Sequence, residues 1–144
     1  MSKSSISSKI KQIVAERANQ CCEYCQSQLR YSPDPFSIEH IIPVIRGGTS
    51  NLDNLALSCQ GCNNRKYTSI AVNDPVTGEM VALYNPRQHQ WQKHFTWTDN
   101  YSQLLGRSPI GRVTVEKLQL NREGVVNLRK ALRSLNEHPP NFKE

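Results

Sequence analysis

With 144 residues, the chain suits one domain that buries roughly two thirds of its unfolded surface, and a single domain over 1–144 is expected. Charged residues make up 21% and hydrophobic ones 37%, and no apolar run approaches the roughly 20 residues needed to cross a bilayer, which excludes a helical membrane protein. The net charge of +6 and a pI of about 9.2 favour polyanionic partners, because Lys and Arg displace counterions from phosphate backbones.

The stretch 1–11 is rich in Ser and Lys and lacks the apolar segment of a signal peptide, so it reads as a short mobile tail and the protein is expected in the cytoplasm. The spacing of Ile10, Ile13, Val14 and Arg17 predicts a helix over 8–19, capped by Ser7 or Ser8. The two prolines of 31–35 mark a loop. A strand is predicted over 36–42, where Phe36, Ile38, His40 and Ile42 alternate with Ser37, Glu39 and Ile41, and Pro43 ends its pairing. A loop over 46–54 carries Gly47-Gly48 at its apex, and 55–57 is a short strand. A helix is predicted from Cys59 through Asn63 to about residue 68.

Beyond this core motif of about 20–68 the signals weaken. A hairpin with a Thr77-Gly78 turn is predicted within 73–84, a short helix over 88–94, and two helices over 113–120 and 124–135, giving a C-terminal extension of about 85–138. Trp91, Phe95, Trp97 and Tyr101 are expected in the core rather than as a base-stacking platform. Val125, Leu128, Leu132 and Leu135 line one face of the last helix, and the basic residues from Arg122 to Arg133 are expected on a wet face. The fold class is α+β.

Four of the five cysteines form two identical pairs, Cys22-x-x-Cys25 and Cys59-x-x-Cys62. An odd count without a secretory signal argues against a disulfide framework. Zinc takes four ligands in a tetrahedron and favours thiolate in structural sites, and a C-x-x-C turn converges two thiolates on one ion. Two such turns close the sphere, so Cys22, Cys25, Cys59 and Cys62 are expected to hold a structural Zn²⁺. The 33 residues between the pairs would then be a stapled insert. Apparent zinc-binding energies of about 10–16 kcal/mol decide whether such a short unit folds. A redox pair needs only one C-x-x-C in a thioredoxin-like setting, which is missing. Cys21 can stand in for Cys22, but Cys22 gives the matched spacing, and Cys21 is expected as a packed free thiol.

Between the pairs lie Ile38-Glu39-His40-Ile41-Ile42-Pro43, Gly47-Gly48 and Asn51-Leu52-Asp53-Asn54-Leu55, followed by Cys62-Asn63-Asn64-Arg65-Lys66. This arrangement resembles the HNH endonuclease family, in the group whose ββα-metal (His-Me finger) motif is bracketed by two C-x-x-C zinc knuckles. The resemblance covers residues 22–66, about a third of the chain. It implies that His40 is the general base, that Glu39 before it is a metal ligand, and that Asn54 holds the loop and orients the base. Asn63 falls where many members carry histidine and would be a metal ligand. Glu39 falls where aspartate is common. The implied fold is a ββα-metal core with structural zinc, flanked by N- and C-terminal helices.

The chemistry is coherent without the family. Cutting a phosphodiester needs a nucleophile, charge relief on the phosphoryl oxygens and help for the departing oxygen. A neutral histidine, with a reference pKa of about 6.5, takes a proton near neutrality. The carboxylate of Glu39 and the amide oxygen of Asn63 are hard ligands that suit Mg²⁺ or Mn²⁺. Adjacent strand residues point to opposite faces, so a bulge or a strand end is expected at 39–40. Arg46, Arg65 and Lys66 surround the motif as candidate phosphate contacts. His89, His94 and His138 lack ligand spacing and are expected to be structural or exposed.

The resulting expectation is a metal-dependent endonuclease acting on DNA, in its double-stranded form. Three rivals remain: a non-catalytic zinc-dependent nucleic-acid-binding module, an RNA-directed nuclease of the same fold, and a structural or partner-binding protein that uses the zinc fold only as a scaffold. Oligomeric state is not legible.

Overall fold

The computed structural model describes residues 6–140, and the first five residues of the expected tail lie outside the described residues. Helix α1, Ser8–Arg17, starts where the Ser7 hydroxyl accepts the Ile10 N–H at 3.2 Å. Its apolar side, with Val14 and Ala18 buried, packs on Leu55 and Leu57, joined by Ile10, Phe36 and Ile38. Each such fully buried aliphatic side chain contributes roughly 1.5–3 kcal/mol. Arg17 at the end of α1 donates to the carbonyls of Leu52 and Leu55, so the helix also holds the chain entering the second strand.

Strand β1, Ser37–His40, pairs antiparallel with β2, Leu55–Ser58, and helix α2, Gln60–Lys66, follows directly. The register is unbroken, with Glu39 opposite Ala56 and His40 opposite Leu55. β1 is shorter than the expected 36–42 because Asn54 intercepts its next residues: Ile41 N–H donates to the Asn54 carbonyl at 2.8 Å and Ile42 N–H to Asn54 Oδ1 at 2.9 Å. The strand-end alternative at 39–40 therefore holds, with no bulge in this pairing.

The later chain forms β3, Ala71–Asn73, and β4, Met80–Ala82, as the expected hairpin. Helix α3, Trp91–His94, runs into β5, Phe95–Trp97, which pairs with β6, Leu104–Gly106. This second hairpin was absent from the sequence expectation, because its three-residue strands are too short to show alternation. Helix α4, Pro109–Leu118, is capped by the Ser108 hydroxyl with Pro109 in its first turn, and α5, Glu123–Ser134, is the last helix among the described residues. The four paired cysteines share one buried cluster with Tyr24, Leu83, Tyr84, Phe95, Leu104, Val113, Leu118, Leu120 and Val125, so the core motif and the C-terminal extension pack on a common interior. Tyr101, expected in the core, is 37% exposed at its margin. Among the described residues no helix is long and apolar enough to cross a membrane.

Candidate active site and metal centre

The cysteine pairs converge. Their four Sγ atoms lie within 4.8 Å of one another, all four side chains are buried, and Cys25 and Cys59 approach to 3.7 Å. Four sulfurs held about 2.3 Å from one ion in a tetrahedron stand about 3.8 Å apart. In each pair the second residue's N–H donates back to the first sulfur, at 3.5 Å for Cys25 to Cys22 and 3.4 Å for Cys62 to Cys59. The thiols conflict as a set. Burial, aided by hydrogen bonds from its neighbours, holds Cys22 well above the usual thiol range, while hydrogen bonds from Cys22, Cys59 and Cys62 hold Cys25 well below it. A bound dication removes that conflict by favouring four thiolates at once. Cys21 stays outside the cluster, in a bridge with Gln28, and burial raises its thiol to about 11, as expected of a packed free cysteine.

A second constellation surrounds the end of β1. His40 is its last residue, half-buried, with Nε2 2.9 Å from the Ser50 hydroxyl. Asn54 staples the chain that follows: besides the two bonds from Ile41 and Ile42, its Nδ2 donates to the Ile42 carbonyl at 3.0 Å and the Thr49 carbonyl at 2.7 Å. Gly48 makes this closure possible, since a Cβ there would lie 1.7 Å from the Ile42 oxygen and 2.9 Å from Asn54 Nδ2.

Glu39 turns inward, at 5% exposure. Its Oε2 pairs with Lys66 Nζ at 2.9 Å, and Lys66 also donates to the Ile41 carbonyl at 2.8 Å. Its Oε1 is buried with no hydrogen-bond partner. Burial raises the Glu39 carboxyl above its ordinary value, and the charge of Lys66 pulls it part of the way back. Asn63 lies on α2 one turn before Lys66 and is half-buried. Lys66 does not occupy the surface position expected of a phosphate contact. It is 2% exposed, and an ammonium enclosed between a carboxylate and a carbonyl does not reach a backbone phosphate. Arg46 and Arg65 are exposed; Arg46 Nε donates to the Thr68 carbonyl at 2.5 Å and Arg65 to the Gly61 carbonyl at 3.2 Å.

The family model of HNH endonucleases matches residues 22–69, the span from the first cysteine pair through α2. This segment is of the HNH endonuclease family. The Septu protein PtuB of Bacillus thuringiensis is 31% identical over 115 residues, a match that covers 78% of this chain and 41% of that protein. The chain thus spans less than half the length of the curated relative it matches. No solved structure matches it.

The HNH unit is a nuclease fold of the kind that acts on nucleic acid, and its α+β architecture agrees with the expected class. Around it the structure adds residues that the sequence reading passed over. Tyr24 is fully enclosed beside the Glu39 carboxylate: burial first, then the charge of Glu39, pushes its hydroxyl up. Arg122 and Arg129 do not lie on a wet face of α5. Arg129 is 3% exposed and Arg122 contacts the cysteine sulfurs, whereas Lys130 and Arg133 are exposed. The buried stripe of α5 is Val125, Arg129 and Leu132, and Leu135 is exposed. The signal was present in the spacing, since 122, 125, 129 and 132 repeat at three and four residues. Hydrophobicity alone put arginine outside. His89 and His94 pack ring against ring at 5.1 Å beside Tyr84, and His138 Nε2 bonds the Tyr101 carbonyl at 2.8 Å.

Proposed function

We propose that the chain is a divalent-cation-dependent endonuclease that hydrolyses phosphodiester bonds in double-stranded DNA. The observation that carries this reading is the division of labour at the end of β1: His40 faces the 49–54 loop, while Glu39 turns inward toward α2 with one carboxylate oxygen unpaired.

His40 is the general base. The Ser50 hydroxyl orients its imidazole, and Asn54 fixes the backbone that follows it. The imidazole takes a proton from water as the water oxygen bonds to phosphorus and the opposite P–O bond breaks, the departing oxygen gaining its proton from solvent. Glu39 and Asn63 would hold Mg²⁺ or Mn²⁺; the unpaired buried Oε1 and the amide of Asn63 are oxygen donors of the hardness such ions prefer. A cation bound there supplies charge relief to the phosphoryl and leaving oxygens. Arg46 and Arg65, both exposed, would contact the phosphate backbone. Cys22, Cys25, Cys59 and Cys62 would hold a structural Zn²⁺, for which their spacing and burial fit.

Supercoiled plasmid incubated with wild type and His40→Ala across Mg²⁺, Mn²⁺ and Zn²⁺ tests the reading, with zinc measured on the purified protein. Cleavage by wild type with Mg²⁺ or Mn²⁺ and its loss in His40→Ala are expected. An intact plasmid at high protein with DNA binding retained would leave a non-catalytic binding module, and preference for a matched RNA duplex would move the substrate to RNA.

A further inference from the structure

The cysteine cluster carries a partner outside its own knuckles. Arg122 stands just before α5 and is far from the cluster in sequence, yet its guanidinium reaches two of the sulfurs. Nη2 lies 3.4 Å from Cys59 Sγ and 3.7 Å from Cys62 Sγ, and Nη1 lies 3.6 Å from Cys62 Sγ. The same Nη1 donates to the carbonyls of Leu118 and Gln119, at 3.2 and 3.1 Å, so the end of α4 holds the fork in place. Gly61, inside the second knuckle, leaves the room. A Cβ at 61 would lie 2.6 Å from Arg122 Nη2 and 3.0 Å from its Cζ.

Two helical turns on, Arg129 repeats the contact on the other knuckle. Its Nη2 donates to the Cys25 carbonyl at 3.2 Å and to the Leu120 carbonyl at 2.8 Å, while Nη1 donates to the Ser102 carbonyl at 3.0 Å. Residues seven apart share a helix face. One face of α5 therefore touches both knuckles, through sulfur at one and backbone at the other.

The charges explain why arginine stands there. Four thiolates around a dication leave a net charge of −2 in a buried site, and an uncompensated buried charge is costly. We propose that Arg122 is the outer-sphere cation of the cysteine cluster: its guanidinium offsets the excess charge of the zinc tetrathiolate, slows loss of the metal and shields Cys59 and Cys62 from electrophiles. Arg122 is thus a positioning residue for the metal, and Gly61 is the notch that admits it. N–H···S bonds draw electron density from sulfur and lower its nucleophilicity. They also make docking of α5 part of metal retention.

The inference rests on the zinc reading of the cluster. It is tested on the full zinc-loaded chain with Arg122→Met, Arg122→Lys, Gly61→Ala and, as a control on an exposed arginine of α5, Arg133→Met. Zinc release into excess chelator is followed with a coloured indicator, thiol alkylation is followed with iodoacetamide, and the sulfur-to-metal absorption band is recorded on the Co²⁺-substituted proteins. Arg122→Met and Gly61→Ala are expected to release zinc about 10–100-fold faster, the range for loss of an outer-shell partner, with faster alkylation and a shifted cobalt band. Arg122→Lys should fall between, and Arg133→Met should match wild type. Wild-type release rates in Arg122→Met overturn the proposal. So does faster release with an unmoved cobalt band, which would assign Arg122 to packing alone. If Arg122→Met does not fold, Arg122→Lys and Gly61→Ala decide by the same readouts. A wild-type protein that binds neither zinc nor cobalt overturns the zinc reading itself, whereas metal-loaded wild type with unaltered variants overturns only the role of Arg122.

Discussion

Lys66 Nζ and Glu39 Oε2 form an ion pair 2.9 Å long whose two side chains are 2% and 3% exposed. Enclosure of this kind makes each member dependent on the other, because removing one leaves the second charge buried without compensation. Lys66→Met and Glu39→Gln should each lower stability by about 3–5 kcal/mol, while the double variant Glu39→Leu/Lys66→Met should recover much of the loss. Urea unfolding of the three variants, followed by circular dichroism, measures the coupling. Additive losses would show that the pair is not energetically linked.

His40 tests the other side of β1. His40→Ala is expected to cut plasmid cleavage by at least about 10²-fold, with thermal midpoint and zinc content unchanged, because a half-buried ring at a strand end carries little of the core. Ser50→Ala removes one hydrogen bond to the ring, worth about 1 kcal/mol, and should cost roughly fivefold. Single-turnover cleavage rates distinguish the two magnitudes.

Two glycines should respond in opposite directions. Gly48→Ala forces a methyl group into the Ile42 carbonyl, 1.7 Å away, and disturbs the Asn54 bonds that close the loop behind His40. A stability loss of about 1–3 kcal/mol and a fall in cleavage rate are expected. Gly124→Ala, in the first turn of α5 with nothing within 4 Å of its Cβ position, should stabilise by up to about 1 kcal/mol. Thermal midpoints of both variants against wild type check the contrast.

Asp74 gives a pH dependence with a defined sign. Arg112 holds it through Nε to Oδ1 at 3.0 Å and Nη2 to Oδ2 at 2.6 Å, joined by Val76 N–H at 3.1 Å. Chiefly through the Arg112 hydrogen bonds, its carboxyl is lowered from an ordinary 3.8 to about 2. A carboxyl lowered on folding adds stability that is fully present above its unfolded value and is lost as pH falls toward the folded one. The stability gap between wild type and Asp74→Asn should therefore be constant above about pH 5 and close between pH 4 and pH 2. Urea midpoints of the two proteins across that range measure it, and a gap that widens on acidification would contradict the assignment.

Much of the HNH unit was legible because its chemistry is local. Two C-x-x-C turns can be read as one metal site from residue type and spacing alone. Glu39-His40 before a proline and Asn54 before a second short strand place the proposed base and the loop staple within one hairpin. The helices α1, α2, α4 and α5 were expected from the sequence, with ends displaced by up to four residues. The hairpin of β5 and β6 was not visible, since three-residue strands carry no usable alternation.

By itself, the sequence determined the candidates for chemistry: four thiols spaced for a metal, an imidazole, a carboxylate and amides on a ββα frame. Only the tertiary structure decided where the cations go. Lys66 could be a surface contact or a buried counterion, and Glu39 together with the Ile41 carbonyl made it the latter. Arg122 and Arg129 could face water, and the two knuckles drew them inward. The physical reason is that burying a charge is unfavourable unless partners compensate it, and these partners come from segments distant in sequence. Local pattern assigns a charged side chain to solvent by default, and the folded chain overrules it where a distant carboxylate, carbonyl or thiolate waits.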